Sequence, residues 1–386
     1  MRGRWESPQL WVSQSDSNLF KGDYTVKILF NIGHPAQVHL FKNLIQELER
    51  RGHQCKITTI AKDISLYLLD AYGFEYEVVG EGRPTLATKA MELMRVESRL
   101  YRTARSFRPD LLVGGVGNVY VAHVGKLLRK PSIVFDDTEH AKIDHRLMDT
   151  FADVICTPSC YRDEIGPKQI RYNGYHELAY LHPNRFTPNP AVLAELGLAE
   201  GDPFIIVRFV SWQASHDVGQ HGIRDKVGLV KALEEYGRVL ITSEGALPAE
   251  LQEYQIRVSP EKLHDLLYYA TLYVGDGGTT ASEAAVLGTP AIFISTLYCG
   301  YQLDEEKYGL LYLFSDPVSG VKDGLRKAVA LLSDPDLKKK AYLNRLKLLE
   351  DKIDVTEFMV WFVENYPESY HQIKADPKKQ YPPVTS

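Results

Sequence analysis

One short segment of the chain has the residue types and the spacing of an anion-binding turn. Residues 276–280 read DGGTT, and Glu283 follows four residues after Thr279. Adjacent glycines let a backbone approach an anion closely, and the free N–H groups of a helix N-terminus favour negative charge. Glu283 shares a helix face with Thr279 and could accept hydrogen bonds from a diol beside the anion. The same spacing also fits a plain strand-to-helix turn with a solvated glutamate.

Two other places could supply acid–base chemistry. The loop DDTEH concentrates carboxylates after a predicted strand, so Asp136, Asp137 or Glu139 could act as a base, bind hydroxyl groups or hold a divalent ion. His34 follows the first predicted strand and could also act as a general base. The alternatives are a solvated polar loop for DDTEH, and a helix cap or a phosphate contact for His34.

Arg208 ends another predicted strand, where its charge could neutralise a diphosphate. The segment 211–222 that follows contains His216, Asp217 and His221, but their spacing is irregular and lies on a predicted loop. We therefore predict no metal site.

These residues require a scaffold, and the rest of the sequence indicates an α/β fold. The 386 residues exceed one ordinary hydrophobic core. From Val26, short runs rich in β-branched residues alternate with longer segments of helical period, which is typical of parallel sheets covered by helices. The alternation stops in a turn-rich stretch near 175–190 and then starts again. This pattern predicts two Rossmann-like, doubly wound parallel-sheet domains, with the candidate residues at the carboxyl ends of strands.

The sequence predicts an N-terminal extension at 1–25, a first domain at 26–180 and a second domain at 190–353. A helix at 354–366 and a tail at 367–386 follow. The helix starts with Asp354 and Glu357, which resemble a capping box, and it is apolar nearly all round, so we expect it to be buried. The prolines after it indicate a frayed tail. The polar N-terminal extension is either a docking arm or the product of an upstream start site.

Composition limits the partners. The net charge is -5 and the basic residues are not massed together, so nucleic acid is not an expected partner. The four cysteines lack CxxC spacing, which favours reduced thiols, and no segment is apolar enough for a bilayer span or a signal peptide. We expect a cytoplasmic protein with a small-molecule partner.

Three stretches together resemble a known superfamily. They are GDGGTTASEAAVLGTPAIFI at 275–294, Val258-Ser259-Pro260 with the helix that carries His264, and GHPAQVH at 33–39. They resemble the GT-B superfamily, in particular the UDP-N-acetylglucosamine 2-epimerases and the N-acetylglucosaminyltransferase of lipid II synthesis. The most detailed match is to the uncharacterised family called domain of unknown function 354, and it covers roughly residues 26–365.

The resemblance implies a cleft between the domains, with the donor nucleotide on the C-terminal domain and a last helix that crosses back to the first domain. In such families the glutamate at position 283 binds ribose, the Gly-Gly-Thr turn binds phosphate, and the loop after Ser259 binds the base. Gln302 stands where related transferases direct a glutamine at the donor sugar. The donor-site residues are therefore expected to be Arg208, Ser259, His264, Gly277, Gly278, Thr279, Thr280, Glu283 and Gln302.

The sequence departs from the epimerases at two places. Lys142, Ile143 and Asp144 stand where those enzymes carry a catalytic glutamate, and the 211–222 segment replaces their His-Arg-Arg-Glu signature. We therefore expect a metal-independent glycosyltransferase without a cofactor, whose donor is a UDP-sugar or a similar nucleoside-diphosphate sugar. An epimerase-like isomerase or hydrolase is the alternative, and a non-catalytic nucleotide-sugar-binding protein is the third hypothesis.

The acceptor is unknown, but one surface feature bears on it. Arginines recur at helical spacing on the predicted helix 86–107, at Arg95, Arg99, Arg102 and Arg105. Such a stripe could attract an anionic or lipid-linked acceptor, or bring the protein to a membrane surface as a peripheral partner. The alternative is an ordinary solvated helix face.

Overall fold

The chain forms two parallel sheets covered by helices. The computed structural model describes residues 25–81, 86–210 and 222–380, without the side chains of 86–91 and 143–144. Residues 1–24, the segment 211–221 with its two histidines, and residues 381–386 lie outside the described residues. The first sheet has seven strands and the second has five.

The N-terminal sheet has the strand order β3-β2-β1-β4-β5-β6-β7, and every neighbouring pair is parallel. The strands are β1 (Lys27–Ile32), β2 (Gln54–Ala61), β3 (Tyr76–Glu81), β4 (Leu111–Gly114), β5 (Ser132–Phe135), β6 (Val154–Pro158) and β7 (Gln169–Tyr172). Helices cover both faces of such a sheet, so its central strands are apolar on both sides. Leu29 and Phe30, which are consecutive in β1, are both fully buried.

The C-terminal sheet has the order β12-β11-β10-β8-β9 and is also parallel throughout. Its strands are β8 (Phe204–Phe209), β9 (Arg238–Ser243), β10 (Leu272–Gly275), β11 (Ala291–Ile294) and β12 (Leu311–Phe314). The chain changes direction across the sheet between β8 and β10. In a doubly wound sheet, a crevice opens at this switch point, beyond the carboxyl ends of the two strands.

Fifteen α-helices connect and cover the strands within the described residues. They are α1 (Pro35–Arg50), α2 (Ser65–Ala71), α3 (Leu86–Phe107), α4 (Val119–Leu128), α5 (Lys142–Met148), α6 (Leu178–Leu181), α7 (Ala191–Glu195), α8 (Lys226–Leu233), α9 (Leu263–Tyr269), α10 (Gly278–Leu287), α11 (Gly300–Lys307), α12 (Gly320–Leu332), α13 (Leu337–Asp351), α14 (Val355–Glu364) and α15 (Glu368–Ala375). None of the described helices is long and apolar enough to cross a bilayer.

Helix α14 crosses back from the C-terminal domain to the N-terminal domain, as the resemblance implied. Asp354 caps it by accepting a hydrogen bond from the backbone N–H of Glu357, as the capping-box pattern predicted. The helix packs against α1 and α6, with seven of its ten residues buried. At its end, Glu364 contacts Arg51 and His53 of the first domain at 2.9 Å each. The burial of the helix explains why it is apolar nearly all round.

The predicted frayed tail is wrong over most of its length. Residues 368–380 form α15 and a 3-10 turn that pack on the first domain. Ile373 is 3% exposed, Lys374 donates to the carbonyl of Gln169, and the side chain of Gln380 accepts from the backbone N–H of Asn173. The prolines mark helix ends, but the buried side chains between them hold the segment in place.

Candidate functional site

The Gly-Gly turn lies at the switch point of the C-terminal sheet, between β10 and α10. Gly277 is the N-cap residue of α10 and Gly278 is its first residue. A Cβ atom on Gly278 would lie 2.6 Å from Nε2 of Gln302, and one on Gly277 would lie 3.4 Å from the Cδ atom of Arg208. The lack of side chains at both positions therefore lets Gln302 and Arg208 approach the turn closely. Thr279, the next residue, is exposed.

Arg208 flanks the turn from the neighbouring strand. It pairs with Gly275 in the register between β8 and β10, so the two strands end within one residue of each other. Its Nη2 atom donates to Glu244 at 2.8 Å, and its side chain remains 22% exposed. The guanidinium is thus held beside the N-terminus of α10, where two sources of positive potential act on the same space.

Asp276 holds the chain segments on the other side of the turn. Its carboxylate oxygens accept hydrogen bonds from the backbone N–H groups of Val210 at 2.9 Å and Ile223 at 3.2 Å. These two residues flank the segment 211–221. The side chain is buried, so it contributes to the site by fixing neighbouring backbone.

Glu283 lies one turn further along α10 and is 5% exposed. Its Oε1 atom accepts from the Tyr180 hydroxyl and from Nε2 of His264, each at 2.9 Å. Burial alone would raise the pKa of Glu283, but the charge and hydrogen bond of His264, together with the Tyr180 hydrogen bond, lower it overall. The side chain is therefore a carboxylate at neutral pH.

Side chains of helix α1 pack around the two partners of Glu283. The ring of His39 stacks on Tyr180 with a centroid distance of 5.4 Å and meets His264 edge-on at 4.7 Å. Burial, with smaller effects from the charges of His264 and Lys42, lowers the pKa of His39 well below its usual value. His39 is thus a packed, neutral ring. Burial also lowers the pKa of Lys42 to about 8, although the charges of Glu283 and Asp265 oppose this.

Within the loop 136–140, Asp136 holds the backbone. It is fully buried, and its carboxylate accepts from the backbone N–H groups of Gly117 and Thr138 and lies 3.1 Å from Nε2 of His145. With both oxygens engaged, Asp136 fixes the loops after β4 and β5. These contacts give Asp136 a structural role, and its role as a base stays a prediction.

Asp137, the next residue, pairs with a histidine that the sequence did not single out. Its Oδ2 atom lies 2.9 Å from Nδ1 of His176, just before α6, and its Oδ1 atom accepts from Thr138. Burial alone would raise the pKa of Asp137, but the charge and hydrogen bond of His176, with the Thr138 hydrogen bond, keep it below its usual value. Asp137 is therefore an ionised carboxylate that lies against the His176 ring.

Glu139 reaches from the first domain to the second. Its Oε1 atom accepts from the backbone N–H of Gly300 at 2.9 Å, in the first turn of α11, and from that of Arg162 at 3.0 Å. The guanidinium of Arg162 in turn donates to the carbonyl of Tyr298 at 2.8 Å. A carboxylate at a helix N-terminus is favourable, so Glu139 acts as a contact between the domains.

The remaining predicted residues have distinct positions. His34 is exposed and caps α1, with its Nδ1 atom accepting from the N–H of Ala36 at 3.2 Å. Ser259 is half-buried and precedes a 3-10 turn. Thr280 is buried within α10. Gln302 is buried in α11, and its Oε1 atom accepts from the N–H of Cys299 at 2.6 Å.

A family match covers nearly the whole chain. The sequence pattern of the family described as "Protein of unknown function (DUF354)" matches residues 26–366. The chain belongs to this family. This DUF354 chain is also similar to the uncharacterized protein MJ0665 of Methanocaldococcus jannaschii, with 23% identity over 281 residues. The alignment covers 69% of this chain and 80% of that protein.

Solved structures with the same architecture give the DUF354 chain its fold class. The UDP-GlcNAc 2-epimerase of Neisseria meningitidis, bound to UDP-GlcNAc, matches with a TM-score of 0.60 and 12% identity, covering 90% of this chain and all of that one. The spinosyn forosaminyltransferase SpnP matches with a TM-score of 0.60 and 16% identity, covering 91% and 100%. Similarity at this level of identity establishes the fold, which is GT-B with two Rossmann-like domains.

The sequence did not single out the segment 175–181 of this DUF354 member, which it placed in the turn-rich stretch at the end of the first predicted domain. The segment contacts both domains and α14 through α6, and it supplies His176 and Tyr180 to the pairs described above. Glu305 of α11 was also missed, although it is fully buried and accepts from Ser282. The one available signal was the aromatic and apolar content of the run YHELAYL, which is unusual for an exposed linker.

Proposed function

We propose that the protein is a GT-B-type glycosyltransferase that uses a UDP-sugar or a similar nucleoside-diphosphate sugar as donor. The observation that carries the proposal is the convergence of Arg208, Gln302 and the N-terminus of α10 on the Gly-Gly turn at the switch point of the C-terminal sheet. A helix N-terminus with an adjacent arginine is suited to a diphosphate, and this crevice is where doubly wound sheets bind ligands.

In this proposal the diphosphate binds at Gly277, Gly278 and Thr279, with Arg208 beside it. The exposed Thr279 hydroxyl and the N–H groups of the first turn donate to phosphate oxygens. Gln302 lies against Gly278 and would donate its amide N–H to the donor sugar. The charge that develops on the leaving diphosphate is stabilised by the helix N-terminus and Arg208, which is why we propose a metal-independent transfer.

Glu283 would accept hydrogen bonds from the ribose. Its Oε1 atom is occupied by Tyr180 and His264, while Oε2 accepts no hydrogen bond within the described residues. Ionisation favours this role because a carboxylate is a stronger acceptor than a neutral group. The half-buried loop at Ser259 would contact the base, with His264 positioning the glutamate.

The acceptor would bind on the N-terminal domain, and we propose an anionic or lipid-linked molecule. Arg95, Arg99, Arg102 and Arg105 are all exposed on α3. Next to them, Met94 and Leu127 are 64% and 69% exposed and line one surface depression. Positive charge beside exposed apolar side chains favours contact with the surface of an anionic membrane.

The experiment that tests the function follows the fate of labelled UDP-sugars. The full chain is incubated with UDP-N-acetylglucosamine and UDP-glucose, first alone and then with a cell extract as a source of acceptors. Transfer of labelled sugar only when extract is present supports the glycosyltransferase. Conversion or release of the sugar without extract would favour an epimerase or hydrolase, since UDP-GlcNAc 2-epimerases share this fold. Tight binding without any turnover would instead indicate a nucleotide-sugar-binding protein.

A further inference from the structure

Buried polar atoms without a hydrogen-bond partner gather where the two domains meet. Among the described residues they include Glu139 Oε2, Tyr161 Oη, Tyr172 Oη, His176 Nε2, Glu177 Oε2 and Glu305 Oε2. Native structures leave few such atoms, because each one costs about 1–3 kcal/mol when it has no partner. Their concentration in one region makes it a candidate binding region for a polar ligand.

Among these atoms, Nε2 of His176 has the setting of a general base. Nδ1 of the same ring lies 2.9 Å from the carboxylate of Asp137, which can only accept, so the proton of the neutral ring lies on Nδ1. In that neutral form Nε2 is the lone-pair nitrogen, and it makes no hydrogen bond within the described residues. The Tyr172 ring lies nearly parallel to the His176 ring, at an interplanar angle of 11° and a centroid distance of 6.5 Å.

The Asp137–His176 pair lies on the side of the first domain that meets the start of α11 in the second domain. The Sγ atom of Cys299 lies 3.6 Å from Nδ1 of His140, three residues after Asp137. Glu139 also accepts from the N–H of Gly300. Two residues further on, Gln302 reaches the Gly-Gly turn. The start of α11 therefore connects the Asp137–His176 pair to the proposed donor site.

We infer that His176 is the general base of the transfer and that Asp137 is its positioning residue. This inference rests on the proposed function. Nε2 takes the proton of the acceptor hydroxyl while the oxygen forms its bond to C1 of the donor sugar. The bond between C1 and the diphosphate oxygen breaks, and its electron pair leaves with the nucleoside diphosphate. The imidazolium that results is paired with Asp137 and later releases its proton to solvent.

The charges around the pair suit this cycle. Tyr172 from β7 lies beside the His176 ring, and the charges of Asp137 and Glu305 act on Glu177, the residue after His176, and on Tyr301 of α11. Burial, with the charges of Glu305 and Asp137, raises the pKa of Glu177 well above its usual value, and burial raises that of Glu305 to about 8. Glu305 is thus largely protonated at neutral pH, and the raised pKa of Glu177 favours its protonated form, so Asp137 is the counter-ion for an imidazolium.

The test compares the wild type with His176→Gln, Asp137→Asn and a matched control, His182→Gln, which changes a histidine on the same segment that lies 3.9 Å from Asp354. Turnover of UDP-N-acetylglucosamine with cell extract is measured against pH, and UDP binding is measured by calorimetry. We expect His176→Gln to lower kcat by about 10²–10⁴-fold and to abolish the acid limb of the pH profile. UDP affinity should change by less than about twofold, and the control should match the wild type.

Two results would overturn the inference while the function stands: a His176→Gln enzyme with near wild-type kcat, or one that loses UDP affinity in proportion to kcat. If His176→Gln does not fold, the Asp137→Asn variant tests the inference. A positioning role for Asp137 requires that this variant shift the acid limb of the pH profile and leave KM unchanged. A purely structural role would not shift the acid limb while leaving KM unchanged. A wild type that binds UDP but never turns over the donor contradicts the proposed function itself, and the base role with it.

Discussion

Tyr180 and Glu283 join the two domains through a 2.9 Å hydrogen bond from the tyrosine hydroxyl to the carboxylate. Tyr180 belongs to α6, which follows the last strand of the first sheet, and Glu283 belongs to the helix that opens at the Gly-Gly turn. His264 donates to the same oxygen. The proposed ribose-binding carboxylate is therefore oriented by a residue from outside its own domain, so the proposal predicts that domain packing and donor binding are coupled.

Replacing Tyr180 with Phe tests this coupling. The change removes one of two donors to a buried carboxylate, so we expect the free energy of unfolding to fall by about 1–3 kcal/mol and UDP affinity to fall with it. Urea denaturation and calorimetry measure the two effects. Tyr236→Phe is the control, since Tyr236 is partly exposed and its hydroxyl makes no hydrogen bond within the described residues. Equal stability of the two variants would show that the contact contributes nothing.

Replacing Gly300 with Ala tests the contact between the domains at α11. The new Cβ atom would lie 2.0 Å from the backbone carbonyl oxygen of Cys160 and 2.8 Å from Oε1 of Glu139. A backbone atom cannot move away cheaply, so the variant should lose about 1–3 kcal/mol of stability. The control is Gly245→Ala, where an added Cβ meets nothing within 4 Å. Hydrogen exchange of the backbone near Cys160 should quicken only in the first variant, and unchanged exchange would refute the close approach.

The buried carboxyl of Glu305 predicts a pH-dependent stability. Burial raises its pKa to about 8, so the folded protein favours the protonated form, while the unfolded chain ionises near the usual value of 4.5. The stabilising contribution is present in full below about pH 4.5 and is lost as pH rises to about 8. Glu305→Gln cannot ionise and keeps an oxygen that can accept from Ser282. The stability of the Glu305→Gln variant relative to the wild type should therefore increase between pH 5 and pH 8, by about 3–4 kcal/mol.

Urea denaturation at several pH values measures that difference. The control is Glu350→Gln on the exposed side of α13, which should track the wild type at every pH. A constant difference between Glu305→Gln and the wild type across the range would show that Glu305 ionises normally in the folded protein.

The arginine stripe on α3 predicts binding to anionic membranes. Changing Arg95, Arg99, Arg102 and Arg105 together to Gln removes about 1 kcal/mol of attraction per residue near an anionic surface. Sedimentation with phosphatidylglycerol vesicles should drop by tenfold or more in this variant. A control changes four basic residues of α13 to Gln, namely Lys338, Lys339, Lys340 and Lys347. Binding that falls equally in both variants, or that is equally strong to phosphatidylcholine, would contradict a specific surface.

The sequence predicted local structure better than contacts between distant residues. The Gly-Gly turn lies between β10 and α10 as expected, because two glycines between an apolar strand and an alanine-rich helix allow few other arrangements. The four-residue strands β7 and β12 were not predicted, since runs as short as Gln169–Tyr172 carry too little periodicity. Helix α13 was also absent from the prediction, as its apolar residues are sparse.

At the site, sequence identified candidates but not their partners. Asp136 and Asp137 are neighbours of one type, yet one binds backbone N–H groups and the other pairs with His176. That difference depends on how β5, β7 and the segment before α6 pack, which no local pattern specifies. The partners of Glu283 depend in the same way on the docking of α6 and α9 against α10.

The most direct test of the donor site compares binding of UDP and of inorganic pyrophosphate by calorimetry. Glu283→Gln should weaken UDP binding by about tenfold and leave pyrophosphate binding nearly unchanged, because only UDP carries the ribose diol. Arg208→Gln, which removes the charge beside the turn, should weaken both ligands. Equal losses for the two ligands in Glu283→Gln, or unchanged UDP affinity in a variant that melts like the wild type, would contradict the assignment of this turn as a nucleotide-sugar site.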